Sequence, residues 1–362
     1  MRIGDICTYA PKSQIKAGEA IDGAQYMFFT SSAEENKRFS DYQIDGEGII
    51  MGTGGNATLH YYSGKFSTST DCVVLMPDEH VRCKYLYYFF KANMHLLEAG
   101  FKGAGLKHTN KAYISDIRIE NIPTYEEQDR LILLMDKLQQ VITHRENELV
   151  KLDKLIKARF VEMFGDPRIN PFGYEKRPLG NTCRVITGNT PSRKVPEYYG
   201  DYIEWIKTDN ILSGVLNPSQ AAEYLSEKGA SEGRIVDKNS ILMACIAGSI
   251  ASIGRVCVTD RTVAFNQQIN AVVPERYDIL FLYVLLQISK DYLIEDINMA
   301  LKGILSKSKL EEKEFYVPPM ELQEEFAEFV KQVDKSKVVV LRRLIQDCRN
   351  NVFAMHGMLG YP

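Results

Sequence analysis

The chain has 362 residues, of which 44 are lysine or arginine and 47 are aspartate or glutamate, so its net charge is −3. This near balance, without a basic tail, argues against a protein that binds nucleic acid by charge alone. The seven cysteines have no C-x-x-C spacing and the chain has no metal-type histidine pair, so we expect neither structural disulfides nor zinc. With no signal-peptide pattern and no apolar run long enough to cross a membrane, we expect a cytoplasmic protein without membrane contact.

The first domain is predicted to contain short strands and one amphipathic helix. We expect strands at Ile3–Tyr9, Tyr26–Thr30, Gly48–Met51 and Asp71–Met76, a turn at Tyr61–Lys65, a helix at Lys84–Leu97 and a glycine-rich basic loop at Gly100–His108. The second domain repeats this plan loosely. Its expected strands are Glu204–Lys207, Ile241–Cys245 and Ile269–Val273, followed by a helix at Ile279–Tyr292. Both domains therefore are predicted to be mixed α/β units built on one template.

A segment of roughly 45 residues occurs twice and closes each of these domains. Each copy opens on the pattern Pro-x-x-Glu-x-Gln, at Pro123–Gln128 and again 195 residues later at Pro318–Gln323. A run rich in the helix formers Leu, Lys, Glu and Gln follows each opening. The repeat predicts a first domain, a long helix, a second domain and a second long helix, with the bounds 1–122, 123–166, 167–317 and 318–362.

Apolar residues recur in the two long helices at alternating spacings of four and three, which predicts a heptad seam. In the first helix the seam positions are Leu131, Met135, Leu138, Ile142, Arg145, Leu149, Leu152, Ile156, Arg159 and Met163. In the second they are Phe326, Val330 and Val333, followed after a stutter at Lys337 by Leu341, Ile345, Cys348, Val352, Met355 and Leu359. Two antiparallel helices can bury these seams on each other and hold two domains apart. The alternative is that each helix only caps its own domain.

No stretch of the sequence carries a convincing catalytic motif. The glycines of Gly52–Gly55 have no following helix and no acidic ribose ligand, and the chain has no P-loop. Asn170–Gly173 lacks the second proline of the amino-methyltransferase motif, and Glu311–Lys313 lacks the paired aspartate of a nuclease site. We therefore predict a non-catalytic protein without a metal site or a cofactor of its own.

The loops after the apolar strands are rich in Thr, Ser, Asn, Gln, Gly, Lys and Arg, side chains that bind base edges and phosphates. The candidate DNA-binding residues of the first domain are Thr30, Ser31, Thr53, Gly54, Asn56, Lys65, Lys102, Lys107 and His108. Those of the second are Thr187, Asn189, Arg193, Lys207, Asp209, Ser249, Arg255, Asn266, Gln267, Lys302 and Lys307. The amides of Asn266 and Gln267 suit adenine. An exposed polar residue is ordinarily only solvated surface, which is the alternative for each position.

Over nearly its whole length the chain resembles the specificity (S) subunits of type I restriction–modification systems. The resemblance rests on the repeated Pro-x-x-Glu-x-Gln pattern and on Phe160–Pro167, which closes the first long helix. Gly46–Asn56 with Gly64–Phe66 is similar to one type of target recognition domain. Trp205–Asp209, with Gly248-Ser249, Ile253-Gly254 and Asn266-Gln267, is similar to another.

The resemblance implies a fold of two mixed α/β target recognition domains separated by two long antiparallel helices that form a coiled-coil spacer. Each domain would read one half of a bipartite double-stranded DNA target, and the helices would set the unread gap. The helices would also dock two modification (methyltransferase) subunits, through Glu127, Gln128, Glu321 and Gln323. S-adenosylmethionine, ATP and Mg²⁺ would be bound by these subunits and by restriction (translocase) subunits. The alternative function is a symmetric protein-interaction scaffold without sequence-specific DNA contact.

Overall fold

The structure is a computed structural model that describes residues 1–103, 105, 107–295, 297 and 303–358, with side chains to residue 350. These residues form two compact units. The first unit comprises Met1–Glu146 together with the carboxy-terminal segment that begins at Arg342. The second unit comprises Asn147–Leu341.

Within its described residues, the first unit is built on a six-stranded sheet. The strands are β1 (Cys7–Tyr9), β2 (Tyr26–Phe29), β3 (Arg38–Phe39), β4 (Ile44–Gly52), β5 (Leu59–Thr68) and β6 (Cys72–Pro77). Their order in the sheet is β1-β6-β4-β5-β2-β3, and every pair is antiparallel except β2·β5. The apolar run Ile49–Met51 at the centre of β4 is buried, which explains why this run forms the middle of the sheet.

Short helices cover one face of this sheet. They are α1 (Ile3–Ile6), α2 (Cys83–Ala92), α3 (Met94–Glu98) and α4 (Lys111–Asp116). Leu86 and Phe90 of α2 are fully buried in the same apolar cluster as Ile49 and Leu75 of the sheet. The helix predicted at Lys84–Leu97 is thus present, with a break at Asn93.

Two sequence predictions for the first unit are wrong. The strand predicted at Ile3–Tyr9 begins as α1, whose Ile3 and Ile6 are both fully buried on one face of the short helix. The turn predicted at Tyr61–Lys65 is the middle of β5, where Tyr61 lies opposite Ile49 of β4. Gly64 lies within β5 at φ +135°, a backbone conformation that favours glycine.

The long helix α5 (Tyr125–Phe164) starts and ends within two residues of the predicted bounds. All ten predicted seam positions in it are buried or half-buried, which confirms the heptad seam. By contrast, Leu133, Val141, Val150 and Leu155 lie off the seam and are exposed. Phe160 and Phe164, which the heptad pattern did not select, are fully buried near the end of the helix.

The second unit has a split sheet. Its strands are β7 (Lys176–Pro178), β8 (Cys183–Thr187), β9 (Tyr199–Gly200), β10 (Ile203–Ile206), β11 (Tyr224–Leu225), β12 (Ile235–Val236), β13 (Ile241–Ala244), β14 (Val256–Val258), β15 (Val263–Phe265), β16 (Ile269–Pro274) and β17 (Glu314–Tyr316). In the described part of this unit they form the sheets β12-β15-β10-β11-β9, β14-β13-β16-β8 and β17-β7. The three predicted strands correspond to β10, β13 and β16.

The helices of the second unit repeat the arrangement of the first. They are α6 (Glu227–Glu232), α7 (Ile279–Ile288), α8 (Lys290–Ile294), α9 (Lys307–Glu312) and the start of the long helix α10 (Met320–Met358). The predicted helix Ile279–Tyr292 is present, with a break at Ser289 between α7 and α8. Phe281 of α7 packs on Phe160 and Phe164 of α5 and on Phe326 of α10, with ring centroids 4.8–6.4 Å apart.

The seam of α10 differs from its prediction. Phe326, Val330 and Val333 are buried as expected, but no stutter follows. The seam continues at heptad spacing through Lys337, Val340, Leu344 and Asp347, all buried or half-buried. Leu341, Ile345 and Cys348, which were expected in the seam, are exposed. The seam positions predicted at Val352, Met355 and Leu359 lie outside the described side chains.

The polar seam positions explain why the apolar pattern failed. In the second unit, Lys337 Nζ lies 2.8 Å from Asp153 Oδ1 of α5. In the first unit, Arg145 Nε of α5 lies 3.8 Å from Asp347 Oδ2 of α10. A charged residue can therefore occupy a seam position when the facing helix supplies the opposite charge. Because Arg159 also pairs with Glu325, residue numbers rise on α5 as they fall on α10, so the two helices are antiparallel.

Candidate nucleic-acid interface

In the first unit, two of the predicted DNA-binding loops are joined beside the end of β4. Gly54 forms an isolated β-bridge with His108, and the Gly55 N–H donates to the Lys107 carbonyl at 2.9 Å. The Thr109 N–H donates to the Thr53 carbonyl at 3.0 Å. The glycine-rich turn after β4 and the basic loop before α4 therefore present one continuous polar surface.

The loop that contains Ser31 is attached to this polar surface through hydroxyl groups that bond the Asp71 carbonyl. Ser31 Oγ donates to the Asp71 carbonyl at 2.7 Å, and Thr53 Oγ1 donates to the same carbonyl at 2.9 Å. Both hydroxyl oxygens can still accept a hydrogen bond. Four polar side chains of this surface are exposed: Asn56, Lys102, Lys107 and His108.

Two predicted residues of the first unit do not belong to this surface. The prediction for Thr30 is corrected because only 4% of its surface is exposed, at the end of β2. Lys65 lies on β5, where its ammonium group is 3.9 Å from Asp45 Oδ2 and 4.5 Å from the centroid of the Tyr42 ring. Lys65 is exposed, but the structure gives it different neighbours from the loop residues.

The second unit joins the equivalent loops in the same way. Ile246, after β13, forms an isolated β-bridge with Ile304, before α9. The Leu305 N–H donates to the Cys245 carbonyl at 2.9 Å, and the Cys245 N–H donates to the Gln268 carbonyl at 2.8 Å. Burial raises the pKa of Cys245 to about 12, so this thiol is protonated and serves as a packing group.

The loop that follows β8 lies beside the turn between β15 and β16. The Asn189 N–H donates to the Phe265 carbonyl at 3.2 Å, and the Thr190 hydroxyl is bonded to the Gln267 side chain. Thr187 Oγ1 donates to Asn270 Oδ1 at 2.8 Å. The Asn189 side chain bonds the backbone of Glu232 and Arg234, so it holds this loop in place.

Arg193 and Lys207 are brought together by a residue that the sequence analysis missed. Glu223 accepts from Arg193 Nη2 at 2.6 Å and also pairs with Lys207 Nζ. The guanidinium carbon of Arg193 lies 4.3 Å from the ring centroid of Tyr199 and 5.1 Å from that of Trp205. The hydrogen bond from Lys207, and then that from Arg193, lowers the pKa of Glu223 below its usual range.

We call this group the Glu223 cluster: Arg193, Tyr199, Trp205, Lys207 and Glu223. No local motif marks Glu223, because its position depends on the pairing of β10 with β11, which places Tyr224 opposite Glu204. The side chain of Arg193 is 55% exposed. The guanidinium is therefore oriented by a carboxylate and an aromatic face and still open to a ligand.

The prediction that Asn266 reads adenine is wrong for this fold. Only 4% of Asn266 is exposed, and its side chain bonds the backbone N–H and the side chain of Gln268, both at 3.1 Å. These bonds hold the turn between β15 and β16. Gln267, the next residue, is exposed and remains a candidate.

The remaining candidates of the second unit are spread over other loops. Asp209 is exposed in the short helical turn after β10, and Ser249 Oγ lies 3.1 Å from Ser252 Oγ. Arg255 Nε donates to the Ser252 carbonyl at 3.2 Å. Lys307 begins α9 and pairs with Glu311 at 3.5 Å. Lys302 lies outside the described residues.

The structure corrects the partner-docking prediction for Gln128 and Gln323. Only 1% and 0% of these residues is exposed, respectively. Each carboxamide bonds backbone groups of its own unit, and its burial closes it to a partner. Glu127 and Glu321 are exposed, and the Glu127 carboxylate accepts from the N–H and the hydroxyl of Thr124, both at 2.9 Å.

The described residues hold neither a candidate metal site nor a candidate membrane span. Within them, no group of three or more His, Cys, Asp and Glu side chains is arranged to hold a metal ion. No helix among them is both long and apolar enough to cross a membrane.

Comparison with known proteins gives the family. The model of a family described as "Type I restriction modification DNA specificity domain" matches residues 1–152 and 171–346. The chain therefore belongs to this family. The specificity subunit of the type I restriction enzyme HindI from Haemophilus influenzae is 31% identical over 143 residues. That match covers 38% of this chain, and the chain spans only 30% of the length of this relative.

Solved structures show the same fold over the full chain. The type I restriction–modification S subunit from M. genitalium matches with a TM-score of 0.63 at 12% identity, covering 100% of this chain and 96% of that one. A chain of the structure described as "Structural basis underlying complex assembly and conformational transition of the type I R-M system" has a TM-score of 0.53 at 14% identity. It covers 99% of this chain and 96% of that chain. The chain thus shares the fold of these solved subunits.

Proposed function

We propose that this chain is the non-catalytic specificity subunit of a type I restriction–modification complex. Each unit reads one half of a bipartite double-stranded DNA target, and the two long helices set the unread gap between the halves. The observation that carries the proposal is that both units join equivalent loops at the end of a central strand, while the side chains in these loops differ. A shared scaffold with divergent loops is typical of two binding sites with different ligands.

The reading surface of the first unit is formed by the loops around Gly54 and His108. That of the second is formed by Gln267 and the Glu223 cluster. Arginine and amide side chains distinguish base edges in the major groove, whereas lysine contacts to phosphates mainly set affinity. We therefore assign base recognition in the second unit first to Arg193 and Gln267.

The near-neutral chain also needs partners to enclose its DNA. An exposed apolar face on the part of α10 that belongs to the second unit, formed by Val338 and Leu341, is the place where we propose that a modification subunit docks. S-adenosylmethionine would be bound by two such subunits, and ATP and Mg²⁺ by restriction subunits when these join. This docking face replaces the buried glutamines of the sequence analysis.

The test is to co-express the chain with its modification subunit and to map methylated adenines across the host genome. We expect a split motif with one fixed gap. Substituting Lys207 should change only the second half-site, and substituting Gly54 only the first. A chain that co-purifies with the methyltransferase but gives no motif would instead be a scaffold without sequence-specific DNA contact.

A further inference from the structure

Both long helices are attached to their own unit through a glutamine at the same place in the repeat. We propose that Gln128 and Gln323 are positioning residues that fix the angle at which each long helix leaves its recognition unit, and thereby the gap between the half-sites. This inference rests on the proposed function.

The hydrogen bonds are the same in both units. In the first, Gln128 Oε1 accepts from the N–H of Arg82 at 2.7 Å, and Nε2 donates to the Pro123 carbonyl at 2.9 Å. Arg82 is the residue before α2. The glutamine thus connects the start of a domain helix, the segment before the long helix and the first turn of the long helix.

In the second unit, Gln323 Oε1 accepts from the N–H of Asp278 at 2.9 Å, and Nε2 donates to the Pro318 carbonyl at 2.8 Å. Asp278 is the residue before α7, the counterpart of Arg82 before α2. The two units differ in their sheets and loops but have this joint in common. A feature kept where the surrounding structure differs points to a shared mechanical role rather than to packing alone.

The chemistry of the joint requires glutamine. The side chain must accept from one backbone N–H and donate to one backbone carbonyl, which an amide can do and an ionised glutamate cannot. Asparagine has the same groups on a stem that is shorter by one methylene. A methionine fills a similar volume but leaves both backbone groups without their partner.

A small rotation at the joint produces a large displacement of the far end of the helix. A helix of 40 residues spans about 60 Å at about 1.5 Å per residue. A rotation of about 3° at one end moves the other by about 3 Å, close to the 3.4 Å rise of one base pair. A loosened joint would therefore let the complex accept a gap that is one base pair longer or shorter.

The experiment uses the complete chain, co-expressed with its modification subunit, with the substitutions Gln128→Met and Gln323→Met, singly and together. The readout is the distribution of gap lengths between methylated half-sites. We expect both half-site sequences to be unchanged, methylation to spread to neighbouring gaps, and methylation at the original gap to fall about tenfold, less than the about 100-fold that a 1 Å misplacement can cost.

The control is Val330→Ala, a truncation at a residue of α10 that is 1% exposed and lies about two helical turns beyond Gln323. This variant should lose stability and keep a single gap length. Should Gln323→Met fail to assemble, Gln323→Glu keeps the acceptor for Asp278 and loses only the donor, and the same spread of gaps is expected.

A single gap length in the Met variants, at a melting temperature matched to that of Val330→Ala, would overturn the inference and leave the proposed function standing. If the unsubstituted chain itself gave no split motif, the proposed function would fail before the joint was tested.

Discussion

The two units are attached to their long helices alike but present different surfaces. Each unit also has a second tie, which joins a segment ahead of its sheet to the segment just before a long helix. The Ile3 N–H donates to the Ile117 carbonyl before α5, and the Leu179 N–H donates to the Lys313 carbonyl before α10. The sheets and loops between these attachments differ, with one continuous sheet in the first unit and a split sheet in the second. The difference teaches that attachment is held constant while the reading surface is free to change.

The largest effect is expected at a cluster of aromatic rings in the second unit. Phe160 is fully buried, with ring centroids 5.2 Å from Phe164, 5.5 Å from Phe281 and 5.4 Å from Phe326. Phe160→Ala should lower the free energy of unfolding by about 3–5 kcal/mol, measured by urea denaturation. The neighbouring Val161→Ala, at a position that is 47% exposed, should change it by less than about 0.5 kcal/mol. Equal losses in the two variants would contradict a stabilising role of this cluster.

In the first unit, the contact between α2 and α5 includes polar groups. Lys84 Nζ and Tyr88 Oη donate to the two carboxylate oxygens of Asp136, at 2.7 and 2.6 Å. The two units therefore share the glutamine joint but differ in their other contacts with the long helices, which is why the aromatic substitution should act on one unit only.

The next effect concerns the Glu223 cluster and should be confined to one half-site. Arg193→Ala should reduce discrimination at one base pair of the second half-site by about 1–3 kcal/mol, roughly 5- to 160-fold, as for a lost bidentate contact. Glu223→Gln should reduce discrimination at the same base pair by a smaller factor, because the Arg193 guanidinium remains but is less well oriented. Genome-wide methylation mapping measures both.

Arg177→Ala is the control for that pair, because Arg177 pairs with Glu175 outside the cluster. It should leave the motif unchanged. A uniform fall in methylation at all sites, without relaxed sequence preference, would show that Arg193 contacts phosphate rather than a base.

A smaller effect is expected at the start of the helices, where the repeat is not identical. The first helix begins after Thr124, whose hydroxyl accepts from the Glu127 N–H at 3.4 Å, whereas Pro319 occupies this place in the second. Thr124→Ala should therefore lower the free energy of unfolding by about 1 kcal/mol. Chemical denaturation measures this, with the exposed Arg130→Ala as the control. No loss relative to that control would show that the cap is dispensable.

The smallest effect is a pH dependence that involves the second unit. Burial, and to a lesser degree Asp153, raises the pKa of Asp334, and Lys337 opposes this rise. The folded state disfavours the ionised carboxylate. The contribution of Asp334 to stability is therefore most favourable below the unfolded pKa of about 3.9 and is lost as pH rises through the folded pKa. At pH 7, Asp334→Asn should increase the free energy of unfolding by less than about 1 kcal/mol and thereby raise the melting temperature. Near pH 3 the melting temperature should not change. A lower melting temperature at pH 7 would contradict this sign.

The sequence predicted the repeat, the long helices and the family resemblance because these depend on spacing along the chain. The heptad seam of α5 is confirmed at every position, since its apolar residues alone select one face of the helix. The central strands Gly48–Met51 and Ile241–Cys245 were equally clear, because an apolar run of that length must be buried.

Only the tertiary structure decided which polar residues are buried. Lys337 and Asp347 occupy seam positions because α5 supplies an opposite charge to each, a fact that no apolar pattern on α10 contains. Asn266, Gln128 and Gln323 looked like ligands in the sequence, yet their amides bond backbone groups within their own units. These three amides are buried and serve the structure, whereas Arg193 has a partner and stays exposed to a ligand; the burial of a polar side chain is set by residues far away in the sequence.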